Sequence, residues 1–126
     1  MMRGPMAKAS AVLLLSLVGT LVVTSEADAQ VTRTEVLDRA KAYVFYPWRA
    51  SAANQSGSCT SSYQPMYVPG DQLGVAYKWG GFKTLFEFSE NIADGYAAGK
   101  HSGGDVLSCT TGVDCSGFVS QIWKRG

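Results

Sequence analysis

The sequence holds a single histidine, His101, and no cluster of lysine or arginine. Its 11 Lys and Arg residues against 10 Asp and Glu leave a net charge of +1. A protein that grips nucleic acid gathers basic charge on one face, so this balance argues against such a partner. An apolar run long enough to span a bilayer is missing too. The longest, Ala11–Val23 (AVLLLSLVGTLVV), falls short of the roughly 20 residues a spanning helix needs. Arg3 and Lys8 precede it with no acid, and Ala27-Asp28-Ala29 follows it. That order is a secretory signal peptide over residues 1–29, cleaved after Ala29, with an uncleaved anchor as the alternative. The expectation is a secreted, periplasmic or cell-wall-associated protein with no stable membrane span after cleavage. Residues 30–126 show no internal repeat and no convincing β-strand.

Aromatic residues, by contrast, are plentiful, with 6 Tyr, 5 Phe and 3 Trp supplying bulk for one small core. Thr32-Arg33-Thr34-Glu35 is a capping box, and Val36, Leu37, Ala40, Tyr43 and Val44 follow at helical spacing. This predicts a helix over Arg33–Phe45, stopped by Pro47. Residues 51–70, rich in Ser, Gln, Asn, Gly and Pro, read as a long irregular loop. The loop contains Asn54-Gln55-Ser56, a short sequon that carries little weight. A second capping box, Thr84–Glu87, opens a helix on which Leu85, Phe88, Ile92 and Tyr96 share a face, with Gly99 as its stop. After a polar loop over 100–112, Asp114 opens a third helix with an apolar stripe of Phe118, Val119, Ile122 and Trp123. Three cysteines, Cys59, Cys109 and Cys115, leave one thiol over if two pair.

The third helix carries the chemistry. Asp114 is a good N-cap, which puts Cys115 in the first turn, where backbone N–H groups and the helix dipole favour a thiolate. The same N–H groups suit the oxyanion of an acyl-transfer intermediate. Ser116 and Gly117 are small enough for a substrate backbone to come close. A buried structural cysteine, or half of a disulfide, is the alternative reading of Cys115.

Gly112-Val113-Asp114-Cys115-Ser116-Gly117-Phe118-Val119 resembles the nucleophile segment of the NlpC-type cell-wall peptidases. Tyr77-Lys78-Trp79-Gly80-Gly81-Phe82 resembles the aromatic and double-glycine segment that precedes it in that family. The likeness covers about Val75 to Trp123. It implies an α+β fold of the papain-like NlpC type, in which the cysteine helix packs on an antiparallel sheet. Residues 30–126 would hold the N-terminal, helical portion and the nucleophile helix, with most of the sheet lying outside the chain. The resemblance implies a hydrolase that cleaves peptide bonds in peptidoglycan stem peptides, with no metal and no cofactor. By position, Cys115 would be the nucleophile, Tyr77 would line the site, and Asp114 and Ser116 would hold the amine end of the substrate.

One departure matters. The family's catalytic histidine lies on strands after the cysteine helix, whereas His101 lies before it, in a loop. A thiolate mechanism needs a base that is itself oriented. The expectation is therefore a truncated chain with little activity of its own. The competing readings are a non-catalytic wall-binding or inhibitory module that kept the nucleophile segment, and a small disulfide-tied secreted protein. Cys59 and Cys109 lie in polar loops and Cys115 at a helix start, so a Cys59–Cys109 bridge is expected, against the alternative of three free thiols. Tyr77, Trp79 and the two glycines are expected beside Cys115.

Overall fold

A computed structural model describes residues 30–60, 63–101 and 104–124; residues 1–29, expected from sequence to be a signal peptide, lie outside them. Helix α1 spans Arg33–Val44. Its start is fixed by side chains: Thr32 Oγ1 accepts the Glu35 N–H at 3.2 Å, and the Glu35 carboxylate accepts the Thr32 N–H at 2.7 Å. Phe45 is the C-cap. Pro47, which cannot continue a helix, opens strand β1 (Pro47–Ala50) at a position where no ladder N–H is required. Strand β2 (Gly70–Leu73) pairs with β1 antiparallel, from Pro47 opposite Leu73 to Ala50 opposite Gly70.

The loop between them is less irregular than its composition suggests. A single turn of helix, α2 (Ala53–Ser56), holds Asn54 buried. The Asn54 Oδ1 accepts the N–H and hydroxyl of Ser51, and its Nδ2 donates to the carbonyls of Ile92 and Tyr96. Tyr63 donates its hydroxyl to the carbonyls of Ala98 and Gly99. Side chains, rather than a backbone ladder, thus tie this segment to the last turn of the helix that ends at Ala93 and to the residues after it.

Helix α3 spans Leu85–Ala93 behind the second capping box. It stops earlier than expected, at Gly95 and not at Gly99. Gly95 takes φ +80°, its N–H bonds to the Ile92 carbonyl, and the Tyr96 N–H reaches back to Asn91. These are the paired bonds of a left-handed glycine cap, and they turn Tyr96 off the helix. Strand β3 (Ala97–Ala98) then pairs in parallel with β4 (Thr110–Thr111), and helix α4 (Cys115–Ile122) follows. The expectation of no strand is corrected: among the described residues, four short strands form two two-stranded sheets. The chain is α+β.

The core centres on Trp48, Ala50, Ala76, Phe88 and Ala98. Trp48 meets Phe88 edge to face, ring centroids 5.3 Å apart, and meets Tyr67 at 5.2 Å. Helix α4 packs on α1 by a separate contact. Tyr43 and Phe118 meet edge to face at 5.9 Å, Ile122 is buried, and Arg39 donates to the carbonyls of Ile122 and Lys124 at the end of α4. The other half of its apolar stripe, Val119 and Trp123, is 50% and 58% exposed.

Candidate active site

The segment after Val75 lies against the residues that enter α4. Val113 N–H bonds to the Ala76 carbonyl at 3.0 Å and Lys78 N–H to the Val113 carbonyl at 3.0 Å, so Tyr77 and Val113 form a parallel bridge. Asp114 N–H then reaches the Gly81 carbonyl at 2.9 Å. The two motif segments, far apart in the chain, are therefore joined residue by residue along their backbones. Three glycines make this possible. A Cβ on Gly81 would stand 2.5 Å from the Gly112 carbonyl oxygen. One on Gly117 would run into the Gly81 carbonyl, and one on Gly112, at φ +147°, into that of Ala76.

Asp114 is the hub. Its Oδ1 accepts the Gly117 N–H and the Ser116 hydroxyl, both at 2.7 Å, and its Oδ2 accepts the Gly80 N–H at 3.1 Å. The Gly117 bond is the main reason the Asp114 carboxyl is held below the ordinary aspartate range; burial opposes it, and the Ser116 and Gly80 bonds add to the lowering. One carboxylate thus caps α4 and pins the Trp79–Gly81 turn to it. Cys115 is the first residue of α4, exposed, and a free thiol. Ser116 is exposed beside it, and Tyr77 is half-buried.

A disulfide joins Cys59 to Cys109, 50 positions apart, with Cα atoms 5.3 Å from each other. Cys109 leads directly into β4 and so into the strand that delivers Cys115. His101 is exposed. It follows Lys100, whose N–H bonds to the Tyr77 carbonyl and whose carbonyl accepts the Trp79 N–H. That places His101 at the end of the same backbone cluster.

Sequence reasoning passed over Lys78. Although it stands inside the aromatic segment, its side chain is buried, with 6% exposed, and its Nζ donates to the Thr110 carbonyl at 2.8 Å. Burial pushes its ammonium below the ordinary lysine range, and Lys83 adds to the effect. The signal was the alternation of Tyr77, Lys78 and Trp79, which turns the middle residue away from its neighbours. Gln121, also unremarked in sequence, is buried on α4 and donates to the Phe82 carbonyl at 2.6 Å. Among the described residues, no three His, Cys, Asp or Glu side chains gather as a metal site requires, and no helix is long and apolar enough to cross a membrane.

Set against protein families, curated proteins and solved structures, the chain matches none of them.

Proposed function

We propose that this chain is the nucleophile-bearing part of a secreted cysteine peptidase of the NlpC type, acting on peptidoglycan stem peptides through Cys115. The observation that carries this reading is the exposed free thiol of Cys115 at the start of α4, behind an Asp114 cap bonded to the Gly80 N–H. A nucleophile in acyl transfer needs access, a fixed position and donors for the oxyanion. The first turn of α4 supplies the position, and the close backbone contacts at Gly81, Gly112 and Gly117 hold that turn against the Trp79–Gly81 segment. The papain-like arrangement, with the cysteine helix on an antiparallel sheet, belongs to the same proposal.

Asp114 and Ser116 suit an amine terminus. The Asp114 Oδ2 takes one N–H, and the Ser116 oxygen gives its proton to Asp114, so both keep lone pairs that an ammonium could use. Tyr77 would supply a wall for the substrate, as an aromatic ring with a polar tip does.

The reading is tested by labelling. A stem-peptide mimic carrying a chloromethyl ketone is expected to alkylate Cys115 about tenfold faster than a non-peptide chloromethyl ketone of equal size, a gap of about 1.4 kcal/mol. The preference is expected to fall in Asp114→Asn and Ser116→Ala. Equal rates for the two reagents would defeat the proposal, because Cys115 would then be an ordinary exposed thiol.

A further inference from the structure

Beside Trp48 an open cleft of ≈ 360 Å³ runs between β1 and α3. Its wall is aromatic and aliphatic: Tyr46, the edge of Trp48 and Ile92. Its rim is polar, with Arg49 and Ser51 on the β1 side and Ser89 on α3. The volume is in the range of a small-molecule site. We propose that this cleft binds one neutral pyranose ring, and that, on the reading of the chain as a wall peptidase, the ring is an N-acetylhexosamine of the glycan to which the stem peptide is attached.

Charge narrows the ligand class. Arg49 is the only cation lining the cleft, and its Nη1 is paired with the Asp71 Oδ1 at 2.7 Å. Glu90 and Asp94 stand exposed on and just after α3. An anion therefore finds no uncompensated positive charge here, and a simple apolar ligand would strip water from the exposed Ser51, Ser89 and Arg49 side chains without offering them a hydrogen bond in return. A sugar ring answers both demands, with apolar C–H faces for Tyr46 and hydroxyls for the rim. The Arg49 guanidinium carries N–H donors beyond the one its Nη1 gives to Asp71, and ring hydroxyls can accept them.

The cleft is also rigid. The Asn54 wall spends its whole amide on Ser51, Ile92 and Tyr96. Trp48 is locked by its indole N–H on the Gly74 carbonyl at 2.8 Å, and Tyr46 packs edge-on to Phe88. A preformed site loses less on binding than one that must be ordered.

The test uses the full chain and a peptide-free probe, the trimer of N-acetylglucosamine, followed by nuclear magnetic resonance. Shift changes confined to residues 46–54 and 89–93 are expected, with affinity about tenfold weaker in Tyr46→Ala. Since Tyr46 borders the core, Ser89→Gln serves as the second variant: it fills the cleft from an exposed helical position and is expected to abolish binding with the spectrum otherwise unchanged. Cys115→Ala is expected to bind the trimer like the wild type. That result separates the cleft from the peptidase reading, which fails or stands on the labelling of Cys115. Absence of trimer binding by the folded chain, binding that survives Ser89→Gln, or stronger shifts in the cleft with acetate than with the trimer would each overturn the proposal.

Discussion

At Gly117 a missing side chain is what lets α4 dock. Its α-carbon faces the Gly81 carbonyl so closely that a methyl group has no room, and the obstacle is backbone, which cannot swing aside. Gly117→Ala is therefore expected to destabilise the fold by roughly 2–3 kcal/mol, the cost of overpacking a tight contact. Urea denaturation measures it; a loss below about 0.5 kcal/mol, the size of an ordinary surface change, would show that the two segments are not so tightly joined. Asp114 supplies the polar half of the same junction. Its carboxyl is depressed in the fold by the Gly117, Ser116 and Gly80 donors, so the unfolded chain takes up its proton first as the pH drops. The stabilisation is thus complete above the ordinary aspartate value of about 4 and is lost as the pH falls through that value and below it. Asp114→Asn keeps one capping oxygen but turns its amide nitrogen toward the Gly80 N–H, so it is expected to be less stable than the wild type by about 1 kcal/mol at neutral pH, the size of one lost hydrogen bond, with the gap closing toward pH 3. A gap that stays constant over that range would mean that the charge of Asp114 contributes nothing. Asn54 shows the opposite use of a polar side chain. Its amide is buried and fully bonded, so the Asn54-Gln55-Ser56 sequon offers no accessible nitrogen for a glycan.

Among the elements, the Cys59–Cys109 bridge fastens the segment after α2 to the strand that leads into α4. It closes a loop of 50 positions, worth about 4 kcal/mol in the chain-entropy treatment. The double variant Cys59→Ser, Cys109→Ser is expected to lose roughly 2–4 kcal/mol, read from thermal unfolding. Peptide mapping without reductant gives an independent check, and any bridge containing Cys115 would refute the pairing. The helices were legible from sequence because their signals are local: Thr32 with Glu35, Thr84 with Glu87, and Asp114 before an apolar stripe. The strands were not. β3 and β4 are two residues each, Ala-Ala and Thr-Thr, and owe their existence to each other across the loop between them. The stop of α3 was misplaced because Gly95 and Gly99 both take positive φ, at +80° and +78°, and only the bonds back to Asn91 and Ile92 choose between them. Of the site, the Asp114-Cys115-Ser116 start of α4 was readable. The buried Lys78 was readable only in part: the alternation of Tyr77, Lys78 and Trp79 turns it away from its neighbours, but its bond to the Thr110 carbonyl depends on a partner 32 positions away.

On the scale of the whole molecule, the candidate site has a position for a nucleophile, and among the described residues no side chain is hydrogen-bonded to Cys115 to take its proton. The only histidine, His101, sits at the end of the backbone cluster that includes Trp79, and it is exposed. No hydrogen bond among the described residues orients its ring. A base that is neither fixed nor backed by a third group gives up most of the advantage of general-base catalysis, which amounts to about 10²–10⁴-fold in rate. The apolar stripe of α4 is packed on one side only. Phe118 and Ile122 are covered by α1, while Val119 and Trp123 face solvent. The purified chain is therefore expected to show little or no turnover of peptidoglycan stem peptides, even though Cys115 is open to a peptide-directed electrophile. Incubation with stem peptides, followed by mass spectrometry of the products, measures this. Turnover that disappears in Cys115→Ala would contradict the expectation and would bring His101 into the mechanism. In that event His101→Gln should abolish turnover while leaving the labelling preference of Cys115 intact, because the nucleophile's position depends on Asp114 and the three glycines and not on the loop that carries His101.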